Sequence, residues 1–214
     1  MHIPDGLIAP PVYLAATALA VPAWAFAVRT VARDLDERSI PRMAVVTALA
    51  FVLSSIMVPL PGGAAAHFTG IGLLVLLFGL WPAFLACSAM LALQAVLLGA
   101  GGITTLPITA LSLGLFGGGA IALLHRAFGS KRTAPAVVIP VFVGIVLAAA
   151  LVALVLGLQP GFGSDADGQP LYFPFGPAVT LPAVVLPHVA LGLAEGMLTW
   201  VALTMLDRRG RVPA

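Results

Sequence analysis

Residues 134–158, APAVVIPVFVGIVLAAALVALVLGL, carry no charged or hydrogen-bonding side chain over 25 positions. A run of that length matches one helical crossing of a bilayer, about 20 residues. Several other runs are nearly as apolar, and only 8% of the 214 residues are charged against 61% hydrophobic, with a mean hydropathy of +1.12. A soluble domain needs far more polar surface, so the chain is expected to be an integral membrane protein. The runs are continuous rather than alternating, which predicts helices and not a β-barrel. The expected fold class is all-α, as a single integral membrane domain over residues 1–214 with no separate soluble domain.

At about 20 residues per crossing, the apolar runs predict a seven-transmembrane-helix bundle. The expected helices are about 10–32, 42–58, 69–80, 82–100, 106–126, 134–158 and 177–206. The third is short for a full crossing and is expected to pair tightly with the fourth around Trp81-Pro82. The first, YLAATALAVPAWAFA at its centre, has the apolar core of a signal peptide, but no Lys or Arg precedes it, so a retained span is expected.

Charge placement tests the span count. The ten basic residues are Arg29, Arg33, Arg38, Arg42, Arg126, Lys131, Arg132, Arg208, Arg209 and Arg211. With seven spans and the N-terminus outside, all of them fall on the cytoplasmic side, while the opposite loops hold only Asp5, Asp165 and Asp167. That is the positive-inside pattern, and an even span count would break it. The expected orientation is N-terminus outside and C-terminus cytoplasmic. The outer face then presents the amino-terminal residues, PLPGGAAAHFTG at 59–70, GAGGITTLP at 99–107 and the long loop at 159–177. Loops so rich in Gly and Pro need protein or water around their backbone groups, so they are expected to pack together and form a pocket. The small net charge of +2 implies no nucleic acid, and the single Cys87 excludes an internal disulfide.

Two of the four histidines, His2 and His67, fall on that outer face. In Met1-His2 three nitrogens come pre-assembled: the Met1 α-amine, the His2 amide and the His2 Nδ1. Amine and amide close a five-membered chelate ring around a metal, and amide and Nδ1 close a six-membered one. Planar nitrogen donors of this kind suit Ni(II) or Cu(II), with loss of the amide proton on binding. His67 on the neighbouring loop is the candidate fourth donor. Pro4 restricts Ile3 to extended geometry, and the Pro4-Asp5-Gly6 turn is expected to fold the tail back toward the bundle. Taken singly, each histidine reads as an incidental or loop-bonding residue; a shared face with no basic neighbour favours a pair of ligands.

His125, beside Arg126 at a helix end, is expected to cap carbonyls. His188 and Glu195 lie seven residues apart on one stripe of the last helix. Ionisable groups within a span are functional candidates, here for an ion pathway, or else contacts that fix helix packing. Gly192 and Gly196 frame Glu195 as a small-xxx-small pair, which favours the packing role, and Gly114 with Gly118 form a second such pair. Gln94 carries the same ambiguity. The chain has no Walker loop, no Ser/His/Asp set and no H-E-x-x-H, so it reads as a binder and conduit, not an enzyme, with energy supplied elsewhere.

The stretches MHIPDG at the start, PxPGG…HxxG at 59–70, LQAxLxGxGGxTTL at 93–106 and HxxLGxxEGxxT at 188–199 resemble the CbiM/NikM family. These are the membrane-embedded substrate-binding components of energy-coupling-factor nickel and cobalt importers. The resemblance implies a six-helix core, about 42–206, preceded by an extra N-terminal helix, about 10–32. It implies a transported metal held by the Met1 amine, the His2 amide and imidazole, and the His67 imidazole, with no cofactor beyond that Ni(II) or Co(II). It also implies a transmembrane coupling subunit, two cytoplasmic ABC-type ATPases, often a small accessory membrane subunit, and residence in the cytoplasmic membrane of a bacterium or archaeon. The binding component of this family is thought to topple within the bilayer, carrying metal inward.

Two departures stand out. The family usually follows GGxTTL with an Asn-containing stretch, whereas PITALSLG at 107–114 has none, and Ala64-Ala65-Ala66 replaces the usual Ser or Thr before His67. Both remove hydrogen bonds of the kind that orient ligating rings, which bears on affinity and selectivity. The expected activity is uptake of Ni(II), whose intrinsic affinity for nitrogen sites exceeds that of Co(II), the runner-up. Readings from other classes are an intramembrane enzyme using His188 and Glu195 as acid and base, or a proton-coupled transporter using Glu195.

Overall fold

A computed structural model of the protein describes residues 2–56, 58–59 and 65–208, with residues 58, 59, 65 and 66 described by their backbone alone. The chain is helical almost throughout. In order it forms α1 (Pro10–Asp34), α2 (Ser39–Ser55), α3 (Ile71–Phe78), α4 (Leu80–Leu98), α5 (Leu106–Thr109), α6 (Gly118–Ala127), α7 (Ala134–Gly157) and α8 (Pro177–Arg208). A π-helical segment, Ala110–Gly117, joins α5 to α6 into one continuous rod, and a 3-10 turn at Gln159–Phe162 follows α7. The strand pair Val58–Pro59 and Ala65–Ala66 is antiparallel and only two residues long on each side.

Five of these helical runs are long and apolar enough to cross a membrane: Pro10–Asp34, Leu80–Leu98, Leu106–Ala127, Ala134–Phe162 and Pro177–Arg208. Ser39–Ser55 is apolar but shorter, and Ile71–Phe78 is eight residues, about two turns. α3 and α4 meet at Gly79, the tight junction expected near Trp81-Pro82. The π-helical segment was not foreseen from the apolar pattern, which has the same composition on either side of it.

Proline opens several helices, at the first turn of α1, α5, α7 and α8, where its missing N–H has no helical acceptor to lose. Pro22, Pro140, Pro182 and Pro187 lie inside helices, a placement that spanning helices tolerate when neighbours re-satisfy the freed carbonyls.

Packing follows the rule for helices in lipid, in which small residues allow close approach. α7 and α8 pack along their length. A Cβ at Gly196 would lie 2.9 Å from the Val138 carbonyl oxygen, and one at Gly192 would lie 3.2 Å from that of Phe142. Both positions therefore serve the close approach that their spacing suggested. Gly114 accommodates the Phe84 ring in the same way, with 2.8 Å to a hypothetical Cβ, whereas Gly118 faces Leu80 and Val75. The main core gathers Leu74, Phe84, Met90, Leu113, Ile121 and Ile145 at the centre of the bundle. Cys87 is buried there as a small core residue. Outward faces are strongly apolar, with Leu123 70%, Val45 69% and Val96 69% exposed. That is the surface of a protein solvated by lipid, not water.

A second cluster sits at one end. Ile3 and Ile8 of the amino-terminal tail are buried against Ile108, Val152 and Leu156. The tail is thus part of the packed structure, and it brings position 2 into the bundle's end.

Candidate metal centre

Three of the segments expected on the outer face, the tail and the 99–107 and 159–177 loops, are joined by hydrogen bonds. The Ile3 carbonyl accepts the Gly102 N–H at 2.9 Å and the Thr105 hydroxyl at 2.5 Å. The Asp5 carboxylate accepts the backbone N–H groups of Ile103 (3.0 Å) and Thr104 (2.9 Å) and the Thr104 hydroxyl. These bonds hold the Asp5 carboxyl below the usual carboxylate range. Farther along the tail, the Leu7 carbonyl accepts the Phe173 N–H at 3.1 Å, and the Ala9 N–H donates to Gln159 Oε1 at 2.9 Å. Gln159 is fully buried and anchors its own amide on the Val155 carbonyl. The tail is therefore tied to both the 99–107 loop and the 159–177 loop.

Tight docking needs Gly102 to be a glycine. A Cβ there would lie 2.6 Å from the Asp5 backbone nitrogen and closer still to its carboxylate. Neighbouring Gly101 would place a Cβ 3.3 Å from His2 Nδ1. The glycine pair in GAGGITTLP is the seat on which His2 rests.

On that seat the His2 ring stacks against His67, with centroids 4.7 Å apart and planes inclined by 16°. The two histidines that the sequence placed on one face are thus in contact. His67 is 5% exposed and its Nδ1 donates to the Phe68 carbonyl at 3.1 Å, which makes Nε2 the imine nitrogen of the ring. His2 Nε2 is buried with no hydrogen-bond partner among the described residues. Burial pushes the His2 imidazole down to about 4 and His67 down to about 3. Both rings are therefore neutral at physiological pH, the state in which imidazole binds metal. The predicted Met1 ligand lies outside the described residues, as does Ala64.

Among the described residues no group of three or more His, Cys, Asp or Glu side chains is gathered to hold a metal. His2 and His67 are the imidazoles that meet at this end, and the Asp5 carboxylate there is already held by Ile103 and Thr104.

Of the other polar candidates, His188 lies near enough to His67 to disfavour its charged form. His188 is buried and donates Nδ1–H to the Val184 carbonyl one turn back, at 2.7 Å. Glu195, 2% exposed, accepts the backbone N–H of Thr69 at 2.8 Å and its hydroxyl at 2.6 Å. Gln94 donates to the Ser54 hydroxyl at 2.6 Å, linking α4 to α2, while its Oε1 is buried without a partner among the described residues. His125 bonds the Ala136 carbonyl at 2.8 Å, so it ties α6 to the start of α7 instead of capping its own helix.

Asp5 was read from the sequence as part of a turn and not as a clamp, and Thr104, Thr105, Thr69 and Gln159 were not singled out. The paired threonines of GGITTLP were the available signal, since two hydroxyls beside two glycines suit a seat that must both approach and bond another backbone.

Comparison with known proteins agrees with this architecture. The chain is 36% identical to the fused nickel transport protein NikMN of Rhodobacter capsulatus, over 97% of this chain and 62% of that one. It is 33% identical to the probable fused nickel transport protein LarMN of Lactiplantibacillus plantarum, over 97% and 65%. The chain thus spans about two thirds or less of the length of these two fused relatives. It is 28% identical to the cobalt transport protein CbiM of Thermosipho melanesiensis, over 96% and 86%. The crystal structure of a truncated transition metal transporter superimposes with a TM-score of 0.91 at 33% identity, covering 98% of this chain and 99% of that one. The profile of one family, described as the cobalt uptake substrate-specific transmembrane region, matches residues 2–211, and the chain belongs to that family, CbiM.

Proposed function

We propose that this chain is the substrate-binding membrane component of an ATP-driven energy-coupling-factor importer for a divalent transition metal, Ni(II) in preference to Co(II). The observation that carries the reading is the stacked pair of neutral imidazoles, His2 and His67, at the end of the bundle where the tail is clamped. The cargo ion would be held by the His2 amide and imidazole, by His67 and, where Met1 carries a free amine, by that amine. Four nitrogens in one plane suit Ni(II) best. The naming of relatives for both nickel and cobalt transport keeps Co(II) as the second substrate.

The proposed setting is the cytoplasmic membrane, with seven crossings, the amino terminus outside and the basic loops inside. The partners are a transmembrane coupling subunit, two cytoplasmic ATPases and a small accessory membrane subunit. ATP hydrolysis belongs to those partners, for the chain has no Walker loop. The acid–base reading of His188 and Glu195 draws no support, because each is hydrogen-bonded to a different group.

The test is metal analysis of protein purified with its native amino terminus. Stoichiometric Ni(II) is expected in the parent and its loss in His2→Ala, in His67→Ala and after one residue is added before Met1. Unchanged metal content in both histidine variants would overturn the site.

A further inference from the structure

A carboxylate within a bilayer span usually answers to a basic partner or a water-filled path. Among the described residues Glu195 has no basic neighbour. The cavity beside it, about 100 Å³, is lined by apolar groups such as Val46, Leu53, Phe68 and Leu198 and by no Lys or Arg. Both carboxylate oxygens are engaged by Thr69 instead, with the Gly70 and Gly72 backbone N–H groups also within reach of the carboxylate. Oε2 accepts the Thr69 backbone N–H at 2.8 Å, and Oε1 accepts the Thr69 hydroxyl at 2.6 Å. The Thr69 hydroxyl also accepts the Ile71 N–H at 3.2 Å, which ties the clamp to the start of α3.

The Thr69 N–H belongs to the same peptide unit as the Phe68 carbonyl, and that carbonyl is the acceptor of His67 Nδ1–H. A trans peptide is planar and directs its C=O and N–H to opposite sides. Glu195 therefore holds one edge of the plate whose other edge holds the imidazole. The loop has little freedom to re-aim the plate. Gly70 adopts φ +72°, and a Cβ there would lie 2.5 Å from the Ala50 Cβ, so the loop is wedged between α2 and α8.

On the metal-binding reading above, we infer that Glu195 is a positioning residue for His67: through the Phe68–Thr69 peptide it fixes the ring's orientation and its Nδ1–H tautomer, and so presents Nε2 to the ion. This is the arrangement in which a carboxylate orients a ligating histidine, with a peptide unit interposed. It gives the intramembrane carboxylate a task that requires no proton transfer and no ion path.

The experiment uses the full chain with native amino terminus and four variants: Glu195→Gln, Glu195→Leu, Thr69→Val and His67→Ala. Three quantities are read: the Ni(II) dissociation constant by chelator competition, the Ni(II) absorption spectrum, and the ¹⁵N imidazole signals of the metal-free, histidine-labelled protein. Glu195→Gln can accept the Thr69 N–H and donate to its hydroxyl, so wild-type values are expected in all three. Glu195→Leu is expected to bind about 10–100-fold more weakly, with a spectrum moved toward that of His67→Ala and with the Nδ1–H preference of His67 lost. Thr69→Val, which deletes the hydroxyl's bonds to Glu195 and Ile71 but keeps the backbone N–H link, is expected to move the same way by less.

A folded Glu195→Leu protein with wild-type affinity and tautomer overturns the inference, as does Glu195→Gln impaired as badly as Glu195→Leu. If Glu195→Leu does not fold, wild-type behaviour of Thr69→Val overturns it. Absence of Ni(II) binding in the parent would instead overturn the metal reading, while the metal-free ¹⁵N signals still decide whether Glu195 sets the His67 tautomer.

Discussion

Each ring of the stacked pair loses water on folding, and this has a consequence for acid stability. In the unfolded chain both imidazoles titrate near the ordinary value of 6.5, whereas in the folded protein burial takes His2 to about 4 and His67 to about 3. As the pH falls below 6.5 the unfolded chain gains protons that the folded chain refuses, so the folded state loses ground until the folded values are passed. The melting temperature of metal-free protein in detergent is therefore expected to drop from neutral pH toward 4. A His2→Gln/His67→Gln variant should drop less steeply, and parallel melting profiles would contradict the account. The donor chemistry proposed for His2 could be framed from sequence because a chelate of adjacent residues is a local property. The Asp5 clamp was not, since its partners Ile103 and Thr104 lie 98 and 99 residues away. Glu195 stood out as an oddity, but its task could not be read without Thr69, 126 residues distant.

At the level of elements, the tail and the 99–107 loop act as one piece. Their contact depends on absent side chains as much as on bonds, because any Cβ at Gly102 would overlap Asp5. Gly102→Ala is expected to undock the tail and to reduce Ni(II) binding about as severely as His2→Ala, while leaving the helical circular dichroism unchanged. The bundle should survive because the main core, from Leu74 to Ile145, does not include the tail. Wild-type Ni(II) affinity in Gly102→Ala would show that the docking is dispensable. Helix positions themselves were largely readable: the expected spans at 82–100, 134–158 and 177–206 match α4, α7 and α8 within a few residues. Apolar length decides those boundaries. The π-helical segment was invisible, since it reflects how Ala110–Gly117 packs between α4 and α7 and not a change in composition.

Over the whole molecule, the described basic residues lie near the end of α1, near the start of α2, around the α6–α7 connection and at the end of α8. Arg132, after α6, pairs with Asp207 near the end of α8, and the Arg132 carbonyl accepts the Trp200 indole N–H at 3.2 Å. The His2–His67 pair lies with the loops at the opposite ends of these helices. If that orientation spans the membrane as proposed, single cysteines replacing Lys131 and Asp165 in a Cys87→Ala background should differ in intact cells. An impermeant maleimide should label position 165 and spare position 131 until the membrane is opened; the reverse pattern would invert the topology. The sequence by itself determined the class of fold, the approximate helices and the presence of imidazoles on one face, because hydrophobic length, charge bias and adjacent donors are all local in the chain. Only the tertiary structure decided that the two rings touch, that Gly101 and Gly102 seat the tail, and that Glu195 reaches the peptide behind His67. Those are contacts between segments 65 to 126 residues apart, and in a chain this uniformly apolar no local pattern distinguishes which helix faces which.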